Sequence, residues 1–196
     1  KPRVSNQLRL VFLGLRAPVT VVVTGAGGAA AATGDPHLQN VLGERFDSMK
    51  PGKQVLLNIP RGMSAENALL RVHADAQRLG GHCADMYFHQ LNLTGSWAEA
   101  KQVGGYQYVA SQQATKSPEW IAFGPMFREI KLKVVHGITE GGFTYLNLYV
   151  KNLGRVGLAV GGLLGEDDHT DVSTPSKHCG RELTLSNERA QGANVY

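Results

Sequence analysis

Cysteine is scarce in this chain: 196 residues carry two, Cys83 and Cys179. Two thiols permit a single intramolecular pairing, so a dense disulfide framework is excluded. Each follows a histidine, His82 or His178, and neither side has C-x-x-C or H-x-x-x-H spacing. One disulfide, two free thiols and a two-Cys, two-His zinc site all stay open at this point. Also missing is an apolar run of the roughly 20 residues that a membrane-spanning helix needs. Arg16 and Pro18 interrupt the best candidate, so no transmembrane span is expected. Lysine and arginine are scattered, without an arginine-rich helix or basic block, and the net charge of +4 gives no support for a nucleic-acid partner. No heptad or internal repeat is visible. No Gly-x-Ser-x-Gly elbow occurs and no carboxylate pair stands out for acid–base work, which leaves an enzyme the least supported class.

Glycine, by contrast, is plentiful. The 24 glycines, with 42% hydrophobic and 18% charged residues, describe a globular, β-rich chain with many tight turns. A chain of this length buries roughly 70% of its unfolded surface, enough for a core without staples. Strands are expected over residues 8–13, 19–23, 38–42, 45–49, 54–59, 69–74, 85–93, 130–135 and 143–150, and a short one over 183–185. Gly43 and Glu44 make a hairpin turn, and Lys50-Pro51-Gly52 a type II turn. Only residues 65–70 and 96–101 read as helical. In residues 143–150 both faces are apolar: Leu146, Leu148 and Val150 on one, Phe143, Tyr145 and Tyr149 on the other. The expected fold is mainly β, an antiparallel β-sandwich-like module with short helices and an N-terminal β extension. Residues 1–33 form an apolar arm ending in the glycine–alanine linker of residues 25–33. Residues 181–196 form a polar tail. The arm loosely imitates a signal peptide, but Arg16 inside its apolar part argues for two strands instead.

VTVVVTGAGGAAAA imitates the strand–glycine turn–helix that cradles a dinucleotide pyrophosphate. Ala29 and Ala31 stand where that motif needs further glycines, Pro36 stops any helix, and no Tyr-x-x-x-Lys follows. An NAD(P)-binding oxidoreductase is therefore the weakest alternative.

Two stretches in order, GDPHLQNVLGERFD (residues 34–47) and VGLAVGGLLGEDDHTD (residues 156–171), resemble the opening and closing motifs of the von Willebrand factor type D domain. The resemblance spans residues 34–180. FDSMKPGKQVLLNIPRG (residues 46–62) is similar to cysteine-poor D-like proteins of single-celled algae. The likeness implies a β-rich module used for protein assembly or adhesion, secreted or in an organelle lumen. Its usual cysteine framework is missing, and Leu164 stands where the family has cysteine. Cys83 and Cys179 are expected to bridge, because the D-like unit ends at the second of them.

The turn GEDDHTD (residues 165–171) is the best metal candidate, since calcium takes six to eight hard oxygens. The resemblance implies Glu166 and Asp168 as ligands, with Asp171 alongside. A further family ligand falls at Leu42, for which Asn40 or water would substitute. A solvated acidic turn is the equally open alternative. Some members of the family cleave themselves at the Gly-Asp-Pro-His bond. That implies a cyclic anhydride at Asp35, loss of the Pro36 nitrogen and a proton from His37. The simpler reading has Asp35 capping the turn, Pro36 fixing its entry and His37 beginning the first strand. Asn92-Leu93-Thr94 is a glycosylation sequon. Trp97, Trp120, Tyr106 and Tyr108 either line a sugar-binding surface or pack. Histidines 73, 82, 89 and 136 lack ligand spacing. The function expected is thus a non-enzymatic interaction module with a protein partner. The alternative is a lumenal accessory subunit of a larger membrane-associated complex, photosynthetic in a thylakoid lumen if the algal likeness guides it.

Overall fold

The segment LRVHADAQR buries Leu70, Val72, Ala74 and Ala76 and leaves Arg71, His73 and Asp75 half-buried. That period of two is what a pleated strand imposes when one face meets a core. The computed structural model describes residues 29–33, 37–79, 86–112 and 117–174, and this alternation recurs through them. Strands β1 (Ala30–Thr33), β2 (His37–Gln39) and β3 (Arg45–Asp47) come first. β4 (Gly52–Ile59), β5 (Leu70–Arg78) and β6 (Met86–Thr94) follow, then the short helix α1 (Ser96–Glu99) and β7 (Tyr106–Val109). β8 (Ile121–Phe123), a 3-10 turn (Met126–Arg128), β9 (Ile130–Ile138) and β10 (Thr144–Lys151) come next. A second 3-10 turn (Leu153–Arg155) and α2 (Thr170–Ser173) end the described residues.

The strands form two antiparallel sheets, one ordered β3-β2-β1-β10-β9-β8 and the other β4-β5-β6-β7. Their inner faces share one core, with Leu38, Leu132 and Leu148 from the first sheet and Leu57, Phe88 and Leu91 from the second. The fold is mainly β and sandwich-like, as the sequence leads one to expect. The β2–β3 hairpin turns at Gly43 (φ +86°), and the buried Asn40 organises it. Asn40 Oδ1 accepts from the backbone of Leu42 and of Glu44, and its amide donates to Glu44 Oε2 at 2.6 Å.

Residues 161–173 clasp the two sheets together. Gly161 exchanges two backbone hydrogen bonds of 2.9 Å with Asn58, and Leu163 and Leu164 donate to Val55 and Leu56. The segment thus runs along the edge of β4, beside the register shift between Val55 and Leu57. From there Leu164 accepts from Val41 in the β2–β3 turn, Met49 donates to Val172, and the His169 ring stacks on Phe46 at 3.9 Å. The two stretches that carry the family resemblance are therefore packed on each other. Leu164, where cysteine would stand, is fully buried and serves the core as an apolar side chain.

Several expectations need correcting. Residues 30–33, read as linker, form β1 between β2 and β10, with Ala30 and Ala32 buried. Alanine favours helix intrinsically, and tertiary pairing overrides that preference. The same strand occupies the place where a dinucleotide motif would need its helix. Residues 65–70, read as helical, are a turn leading into β5, tied by Leu69 N donating to Ile59 O. β7 and β8 are additional strands, and β5 and β9 run further than their apolar cores suggest. The expected strands at 8–13, 19–23 and 183–185, the polar tail, Cys83 and Cys179 lie outside the described residues.

Candidate functional site

The acidic turn does not assemble one ligand shell. Asp167, which the sequence reading passed over, is its organising carboxylate: Oδ1 accepts from Arg61 Nε at 2.7 Å and Oδ2 from the Gly162 amide at 2.5 Å. Glu166 lies 3.6 Å from the same guanidinium. Asp168 instead accepts from both the amide and the hydroxyl of Thr170. The hydroxyl contact, then the amide, lowers its pKa from the ordinary carboxylate value. Asp171 pairs with Lys50 at 2.6 Å, and Asn40 is spent on the β2–β3 turn. Among the described residues no three His, Cys, Asp or Glu converge on a point where an ion could sit. Glu166, Asp168, Asp171 and Asn40 thus each hold a separate partner in this structure.

His37 begins β2 and sits in register with Asp47, its Nδ1 2.6 Å from Asp47 Oδ1. Asp35 and Pro36 lie outside the described residues. Asn92 is on β6, between β5 and β7, half-buried and accepting from Gln90 Nε2 at 3.2 Å. This is not the surface loop that a glycosylation acceptor normally occupies.

The outward face of the four-stranded sheet is polar. Lys53, His73, Asp75, Gln90 and Asn92 line a cleft of about 290 Å³. Arg71 Nε donates to His73 Nε2 at 2.8 Å, so that nitrogen is unprotonated. Burial first, then the charges of Arg71 and Lys53, hold the His73 pKa below the ordinary histidine value. His89 occupies the bulge between the Asp75–Gln90 and Ala76–Phe88 pairs, its Nδ1 3.8 Å from Asp75. His136 reaches the Val109 carbonyl at 3.3 Å.

The four aromatic residues singled out from the sequence part company. Tyr106 meets Phe123 edge-on and stacks with Tyr108, and Trp97 lies against Gly124 and the core. Burial, then its neighbour Tyr106, raises the Tyr108 phenol pKa. Trp120 alone faces outward, under two lysines. Sequence reasoning missed Met126 and Phe127, which stand 79% and 93% exposed on the 3-10 turn between β8 and β9. Their only signal was two large apolar residues directly after Gly124-Pro125. Among the described residues no helix is long and apolar enough to cross a membrane. No family model and no curated protein matches the chain.

Proposed function

We propose that the chain is a non-enzymatic binding module that docks onto a protein partner within a larger assembly. One observation carries this reading: Met126 and Phe127 project into solvent from a 3-10 turn closed by a backbone hydrogen bond. Arg128 N donates to Pro125 O at 2.8 Å, and the Arg128 guanidinium lies over Gly157, where a Cβ would come within 2.9 Å of it. Scattered exposed apolar residues are ordinary, but two consecutive large ones on one turn are what an interface uses as anchors. Methionine and phenylalanine are also enriched at interfaces relative to the rest of protein surfaces. The likeness to the von Willebrand factor type D domain adds a secreted or lumenal setting. The alternative is a lumenal accessory subunit of a larger membrane-associated complex, for which the same turn would be a subunit contact.

A photo-crosslinking residue placed at Phe127, in protein expressed in its native source, tests the proposal. It should capture one polypeptide, whereas the same group at Val103, 98% exposed on the loop before β7, should not. The same set of adducts from both positions would contradict it.

A further inference from the structure

We propose that the outer face of the six-stranded sheet binds an acidic polysaccharide. Lys131 and Lys133 of β9 and Tyr149 and Lys151 of β10 point away from the core, since their neighbours Leu132, Val134, Leu148 and Val150 are buried. In register, Lys131 stands opposite Lys151 and Lys133 opposite Tyr149. The four side chains therefore form a block with cross-strand spacing of about 5 Å and along-strand spacing of about 7 Å. Trp120, one residue before β8, completes it. Lys133 Nζ lies 5.1 Å from the Trp120 ring and 5.3 Å from that of Tyr149, and Lys151 Nζ lies 4.3 Å from Trp120.

Two lysines directly opposite one another repel. Among the described residues no carboxylate lies within 4 Å of any of the three ammonium groups, although Arg61 and Lys50 elsewhere are paired with acids. The ring faces hold two of the ammonium groups in place by cation–π attraction, which lowers the ordering cost of meeting an anion. Among the described residues this face therefore carries positive charge without an ion-pair partner, which suits it to an anionic ligand.

The shape and chemistry of the face select the kind of anion. β9 and β10 are paired on both sides, so they offer no free edge for a peptide strand to join. The charges are lysines, compact point charges, without the arginine fork that matches phosphate bidentately. An extended acidic sugar chain can lie across the strands and bring several sulfate or carboxylate groups to the ammonium block that the Trp120 and Tyr149 rings hold in place.

The test is isothermal titration of the purified chain, at low and at physiological salt, with heparin and with polygalacturonate. Poly-glutamate, a single-stranded oligothymidylate and phosphatidylserine vesicles are the competing probes. Wild type should bind at least one polysaccharide more tightly than every competing probe. Lys133→Ser/Lys151→Ser should weaken that binding about tenfold and Trp120→Leu about threefold. Lys53→Ser/Lys101→Ser, which removes the same charge from exposed positions on the other sheet and on the turn after α1, should change it by less than about twofold. All variants should keep the wild-type unfolding midpoint. The proposal is overturned by equal losses from the two double variants, by no binding to either polysaccharide, or by tighter binding of any competing probe. Phe127→Ser should leave polysaccharide binding unchanged, so this proposal and the protein-docking one fail separately.

Discussion

Gly162 carries the clasp at a point where no side chain fits. Its φ is +87°, and a Cβ there would lie 2.6 Å from the Leu56 carbonyl oxygen, a backbone atom that cannot step aside. Gly43 has nearly the same φ, +86°, with open space around it. Gly162→Ala should therefore lower the stability by about 3 kcal/mol, and Gly43→Ala by about 1 kcal/mol, the conformational cost alone. Urea unfolding checks the difference; equal losses would mean that the clasp yields. His73 gives a second expectation. Its folded pKa is lowered, by burial first and then by Arg71 and Lys53, whereas the unfolded ring takes up a proton near pH 6.5. The contribution of the neutral ring is thus present above about pH 6.5 and is lost as pH falls through the folded value. His73→Gln should flatten the decline of the urea midpoint between about pH 7 and pH 5. A variant as steep as wild type would remove His73 from the account.

At the scale of elements, β1 shows how far sequence reasoning reaches. Leu146, Leu148 and Val150 alternate strongly enough to mark β10, and Leu70, Val72 and Ala74 mark β5. β1 consists of three alanines and a threonine, with no β-branched or aromatic run to declare a strand. Its identity comes from Leu148 and Val150 on one side and Leu38 on the other, partners remote in sequence. Similarly, Glu166, Asp168 and Asp171 were legible as a cluster of acids. Which of them Arg61 or Lys50 would claim depended on contacts more than a hundred residues apart. Because β1 joins β2 and β3 to β10, removing residues 1–33 should abolish cooperative unfolding. Ala32, 0% exposed, has no room for added volume, and Ala32→Leu should cost about 1–3 kcal/mol. Calorimetry checks both, and a truncated chain that melts with an unchanged midpoint would show β1 to be dispensable.

For the whole molecule, the described parts of the two stretches pack on each other, through the Val41–Leu164 hydrogen bond and the Phe46–His169 stack beside the Asn40 turn. The two surfaces proposed to meet other molecules lie apart from these stretches in sequence: the apolar turn at Met126 and Phe127, and the lysine–aromatic block of β9 and β10. The block was not readable from local pattern, since Trp120 and Lys151 are brought together only by the β8–β9–β10 pairing, whereas the turn's signal was the apolar pair after Gly124-Pro125. The central claim, that the chain works inside an assembly, is tested most directly by native mass spectrometry of the protein isolated gently from its source. The account predicts a stoichiometric complex with a second polypeptide, which Phe127→Ser dissolves while the fold persists. A single polypeptide in wild type and variant alike would contradict it.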